Sequence, residues 1–90
     1  MTDTTVKARI TGRVQGVSYR AWTRETALEY GLTGWVRNCA DGSVEAVFSG
    51  SDERVKAMLT ACLNGPPPAR VEDIRTEAAD WSGEGFEIRR

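Results

Sequence analysis

Residues 32–50 read "LTGWVRNCADGSVEAVFSG". Two stretches that favour strand, "LTGWVRN" and "SVEAVFSG", flank "CADG", whose closing Asp-Gly suits a tight turn, and the combination predicts a β-hairpin. Helical patterns lie on both sides of it. Before it, "AWTRETALEY" (21–30) is rich in helix formers, Gly31 stands where a left-handed cap would end the helix, and Tyr19, Thr23, Ala27 and Tyr30 share one face. After it, Ser51 can cap a second helix, and Asp52 and Glu53 suit the positive end of its dipole. Val55, Met58, Leu59, Cys62 and Leu63 then fall at helical spacing on one face.

Moving further out, strands are predicted at both ends. Val6, Ala8 and Ile10 alternate with Lys7, Arg9 and Thr11, which places a half-buried strand at about 5–13. Asn64 and Gly65 stop the second helix, and Pro66, Pro67 and Pro68 make a stiff connector. "ARVEDIRTEAA" then returns as a strand whose apolar spacing slips between Val71 and Ile74, as at a bulge, and "GFEIRR" adds a short last strand with Phe86 and Ile88 inward. The order β-α-β-β-α-β predicts an α+β split βαβ sandwich, a mostly antiparallel sheet with two helices on one face. Fold alone does not give function.

Ninety residues suffice for one domain, expected to span 1–90 with residues 1–4 frayed. Twelve Lys and Arg against thirteen Asp and Glu leave a formal charge of -1, so the chain as a whole is not built for nucleic acid or acidic lipid. Charge is nevertheless uneven: residues 1–24 hold Lys7, Arg9, Arg13, Arg20 and Arg24 against Asp3 alone, and an anion site is expected there. No apolar run is long enough for a membrane, and "MTDTT" lacks the regions of a signal peptide, so a cytoplasmic protein is expected. With two cysteines and no histidine, the usual metal sites and histidine relays are excluded. Cys39 is expected in a turn and Cys62 in the core. Trp22, Trp35 and Trp81 are scattered on an acidic chain and suit packing more than base stacking, with Trp35 expected against core or site wall. Arg13 and Arg37 are expected to be solvated or to attract substrate at long range.

The junction between the first strand and first helix is "GRVQGVSYR" (12–20). A glycine-bearing turn into a helix start aims backbone N–H groups at one point, at the positive end of the helix dipole, and such a cradle suits a phosphate. Arg20 stands at the entrance with a planar fork matched to two phosphate oxygens. The competing reading is a plain chain turn with Arg20 in a surface ion pair. Other phosphate motifs fail on spacing. Gly16 is followed by Val17 and Ser18 where a Walker loop needs lysine, Gly12 and Gly16 do not make a dinucleotide fingerprint, and six residues after Cys39 stands Glu45 instead of a phosphatase arginine.

"GRVQGVSYR", followed eighteen residues after its arginine by Asn38 within "GWVRN" and "DGSVE", resembles the acylphosphatase family. Element order, length and the closing "FEIRR" extend the likeness over nearly the whole chain. The resemblance implies a ferredoxin-like fold and the hydrolysis of acyl phosphates to a carboxylate and inorganic phosphate, without metal or cofactor. It further implies that Arg20 grips the phosphate, that Asn38 positions the attacking water, and that the loop Gln15, Gly16, Val17, Ser18 and Tyr19 is the backbone cradle. Ser18 departs from the aromatic residue usual in animal members, which touches local packing and the width of substrate choice.

The implied chemistry suits these residue types. A carboxylate leaving group, whose acid has a pKa near ~4, departs without a proton donor, so no histidine is required. Expected partners are the acyl phosphate and inorganic phosphate as product and inhibitor, with no nucleic acid or membrane, on a monomer. The alternative is a non-catalytic anion-binding or regulatory module of the same fold, as acylphosphatase-like domains occur inside larger carbamoyl-transfer proteins.

Overall fold

The computed structural model describes residues 3–90. Five strands and two helices follow in the order β1 (Asp3–Arg13), α1 (Tyr19–Glu29), β2 (Thr33–Asn38), β3 (Val44–Ser51), α2 (Asp52–Asn64), β4 (Arg70–Ala78) and β5 (Phe86–Arg89). The sheet order is β4-β1-β3-β2-β5, antiparallel throughout except where β5 lies parallel to β2. The expected ferredoxin-like architecture stands. β1 starts at Asp3, opposite Ser51, two residues before the expected point, while Met1 and Thr2 lie outside the described residues.

One core lies between the sheet and the helices. The inward set of β1 (Ala8, Ile10) meets Val44, Ala46 and Phe48 of β3 and Val36 of β2, and α1 and α2 cover it with Tyr19, Ala27, Val55, Met58 and Cys62. Both helices obey their end signals. Ser51 Oγ accepts from the Arg54 N–H at 3.4 Å, and α1 closes with Gly31 N–H on Leu28 O at 3.0 Å and Leu32 N–H on Ala27 O at 2.9 Å, the paired bonds of a Schellman ending. Tyr19 joins the helices, its hydroxyl donating to Cys62 O at 2.7 Å. Burial holds the phenol protonated and pushes the Cys62 thiol up to about 12.

The slip foreseen in β4 is a bulge. Thr11 pairs with Asp73 and Gly12 with Val71, so Glu72 is skipped. Gly12 serves this bulge: its φ is +118°, and a Cβ there would collide with the Arg70 carbonyl. Three other expectations are corrected. Leu63 is 57% exposed because, roughly 80° round the helix from Val55, it lies at the margin of the buried stripe. Ile88 is 42% exposed, since β5 runs past the helical cover that buries Phe86. Trp35 is neither core nor site wall. Alternation puts it on the uncovered sheet face, opposite to Asn38, where the Arg89 guanidinium lies 4.7 Å from its ring and 5.5 Å from that of Trp81. No helix among the described residues is long and apolar enough to cross a membrane.

Candidate active site

Between β1 and α1 the chain alternates sharply. Val14 and Val17 are buried at 1% and 6% exposure, which ties the loop to the core. Gly16 and Ser18 take left-handed torsions, φ +72° and +63°, and face out into a cleft of about 220 Å³. A Cβ on Gly16 would meet nothing within 4 Å, so glycine is needed there for its torsion and not for space. Ser18 bears a cost of about 1 kcal/mol in that conformation, and among the described residues it is the one non-glycine with positive φ.

Ser18 is also the N-cap of α1, yet its side chain makes no capping bond, and no acid lies in the first turn. The first helical N–H to reach back into the loop is that of Trp22, on Ser18 O at 3.0 Å. Among the described residues, no protein acceptor takes the N–H groups of Gly16 to Ala21. They stand at the positive end of the helix dipole, open to an anion.

Arg20 lies in this first turn and lines the cleft with Gly16, Ser18 and Tyr19. Its Nη1 donates to Arg89 O at 3.3 Å, which holds the fork against the end of β5. Among the described residues no carboxylate is within 4.0 Å of Arg20, so the surface ion pair is not formed and the charge is uncommitted. From the other side comes Asn38, the last residue of β2, whose Oδ1 is buried without a hydrogen-bond partner. An orphan of this kind costs roughly 1–3 kcal/mol, and among the described residues it has one counterpart, Trp81 Nε1, outside the cleft.

Gln15, like the buried Val17 and Tyr19, uses its side chain elsewhere. Its Nε2 donates to Cys39 O at 2.8 Å and Ser43 O at 2.9 Å, joining the loop to the hairpin turn that carries Asn38. Asp41 tightens that turn, accepting from Ser43 N–H at 3.0 Å and Ser43 Oγ at 2.6 Å; these bonds hold its carboxyl below the usual range. Cys39 is in the turn as expected, its N–H on Ser43 O at 2.8 Å. Sequence reasoning missed Ala21 and Ile88, which complete the cleft wall; the only signal for Ile88 was its position two residues beyond Phe86.

Larger hollows lie elsewhere. The one of about 360 Å³ on the uncovered sheet face is lined by Lys7, Arg9, Glu45 and Glu77, whose charges already pair with one another. Arg37 belongs to the same network, with Nη2 at 2.7 Å from Glu45 Oε1, while 46% of its side chain stays in solvent as expected.

The acylphosphatase family model matches residues 6–88. The chain belongs to the acylphosphatase family. It is 62% identical over 71 residues to an acylphosphatase of Rhodospirillum rubrum, spanning 79% of this chain and 78% of that one. With an acylphosphatase of Haloarcula marismortui it shares 50% identity over 90 residues, 99% of each chain. The solved acylphosphatase of Coxiella burnetii superposes with a TM-score of 0.93 at 33% identity, covering 97% of this chain and 93% of that one. This acylphosphatase is therefore a hydrolase of acyl phosphates.

Proposed function

We propose that hydrolysis proceeds by direct attack of water on an acyl phosphate held in the cleft, with Arg20 as phosphate clamp and Asn38 as water holder. The observation that carries this reading is that Asn38, whose buried Oδ1 has no partner, lines the same cleft as the uncommitted Arg20 and the open N–H groups of α1. The phosphate oxygens accept from the backbone N–H groups from Gly16 to Arg20 and from the Arg20 guanidinium, which stabilise the charge spread over the equatorial oxygens. Asn38 Oδ1 accepts a hydrogen bond from the water and turns the oxygen lone pair toward phosphorus.

As the water oxygen bonds to phosphorus, the bond from phosphorus to the acyl oxygen breaks and carboxylate leaves with the electron pair. The water proton passes to a phosphate oxygen, giving carboxylate and inorganic phosphate. An amide is no base, and none is needed for so good a leaving group. The reading takes residues 1–90 as one domain acting as a monomer, with inorganic phosphate as its competitive inhibitor.

Release of phosphate from benzoyl phosphate, unaffected by a chelator, tests the reading. Loss of that release in both Arg20→Gln and Asn38→Ala is the expected result. Full activity in either variant would remove that residue from its role, and absence of release in the unmodified protein would favour the anion-binding module.

A further inference from the structure

The cleft has a second, apolar side. Ile88 keeps 42% of its surface exposed and shares the cleft with Arg20, Asn38 and the exposed methyl of Ala21. Among the described residues the other exposed large apolar side chains, Leu28 and Leu63, lie outside the cleft.

Two contacts fix where Ile88 stands. In the parallel pairing of β5 with β2 it lies opposite Val36, two residues before Asn38, so its Cα is roughly 8 Å from that of Asn38 by strand geometry. The next carbonyl, Arg89 O, receives Nη1 of Arg20, so whatever the guanidinium grips is held within one residue of Ile88. A four-residue strand at a sheet edge would ordinarily fray. Here the Arg89 side chain, on the opposite face from Ile88, stacks over Trp35 and Trp81 and pins the strand end.

We propose that Ile88, with the Ala21 methyl, is the wall that receives the acyl group, and that it selects acyl phosphates whose acyl part is apolar, aromatic or branched, over acetyl phosphate. The inference rests on the proposed phosphate site and adds to it the substrate class. Phosphate is common to every acyl phosphate, so choice among them must come from what lies beside the cradle. Apolar area on Ile88 that stays wet in the free protein is covered when a phenyl or branched alkyl group lies on it, and a one-sided wall of this size gives about three- to tenfold discrimination.

The test measures kcat/KM for benzoyl phosphate and acetyl phosphate, and the inhibition constant of inorganic phosphate, in the unmodified protein, Ile88→Thr and Ile88→Leu. Threonine keeps the β-branched shape that suits a strand while replacing apolar surface with a hydroxyl. The ratio of benzoyl to acetyl kcat/KM should fall about three- to tenfold in Ile88→Thr and return toward the original in Ile88→Leu, with phosphate inhibition preserved. An unchanged ratio, or equal loss on both substrates, would overturn the wall. On the unmodified protein, KM should fall along acetyl, butyryl and benzoyl phosphate, and a flat series would overturn it without any variant. Release from neither benzoyl nor acetyl phosphate would instead overturn the phosphate site on which the inference stands.

Discussion

The two faces of the sheet handle polar groups in opposite ways. On the uncovered face, Glu45 is 5% exposed and fully engaged: Lys7, Arg9 and Arg37 all lie within 4.0 Å of its carboxylate. At the cleft on the other face, Asn38 Oδ1 is buried with no partner, Arg20 has no carboxylate, and Ser18 holds a strained torsion with its capping capacity unused. One cluster is closed and the other open. The Glu45 carboxylate is satisfied within the fold and contributes to stability, whereas Asn38 Oδ1, like Trp81 Nε1 on the uncovered face, is left without a partner.

The largest effects should come from the open cluster and should fall on activity. Arg20→Gln is expected to lower kcat/KM for benzoyl phosphate by about 10²–10³ and to weaken phosphate inhibition in parallel, because the fork acts on ground state and transition state alike. Near-normal phosphate inhibition in that variant would show that Arg20 is no clamp. Asn38→Ala should cut kcat strongly while phosphate inhibition changes little, since water placement matters chiefly in the transition state. The contrast sharpens further if Asn38→Ala leaves thermal stability unchanged or raised, as removal of a buried orphan predicts.

An intermediate effect belongs to the strut between the two halves of the site. Gln15→Leu removes both bonds from the loop to Cys39 O and Ser43 O, so the hairpin turn that carries Asn38 can drift relative to the cradle. A fall in kcat of about tenfold with nearly intact phosphate inhibition is expected, because misplacement of the water costs rate more than binding. Equal loss in both would mean that Gln15 shapes the cradle itself.

Glu45→Ala breaks the comparison from the other side. Leaving three cations without their shared acid should cost about 1–2 kcal/mol of stability, moderated because Lys7, Arg9 and Arg37 are 38–46% exposed and can return to water. Activity on benzoyl phosphate should stay within about twofold, since no atom of this cluster lines the cleft. A large loss of turnover without unfolding would mean that the two faces are coupled.

Local pattern made the hairpin, both helix ends and the β4 slip legible, because each is set by residues within one turn or one strand. Arg20 and Asn38 were legible only as a pair, through a resemblance spanning two segments that the fold brings to one cleft. What escaped depends on neighbours distant in sequence. Periodicity assigns Ile88 and Leu63 to a face but does not say whether another element covers it, and β5 outruns its cover. Arg37 and Glu45 become partners through the antiparallel register of β2 and β3, and Trp35 follows them onto the uncovered face. The span from Gln15 to Ser43 is likewise invisible along a strand.

The smallest effect concerns acid, and it joins the two clusters at the hairpin turn. Bonds from Ser43 Oγ and N–H, and then Arg9 at 3.1 Å, hold the Asp41 carboxyl below its unfolded value. A depressed carboxyl pKa stabilises the fold above the unfolded pKa and loses that contribution as pH falls through the folded one. The thermal midpoint should therefore drop from about pH 4 downward, and the drop should be shallower in Asp41→Asn, which has no proton to gain. Asn38→Ala should leave this acid limb alone, since Asn38 has no charge. Because Ser43 also receives Gln15, protonation of Asp41 loosens the anchor of Asn38 before the sheet gives way. Turnover should then fall at a pH where the fold still holds, and coincident loss of turnover and fold would show that the turn does not transmit to the cleft.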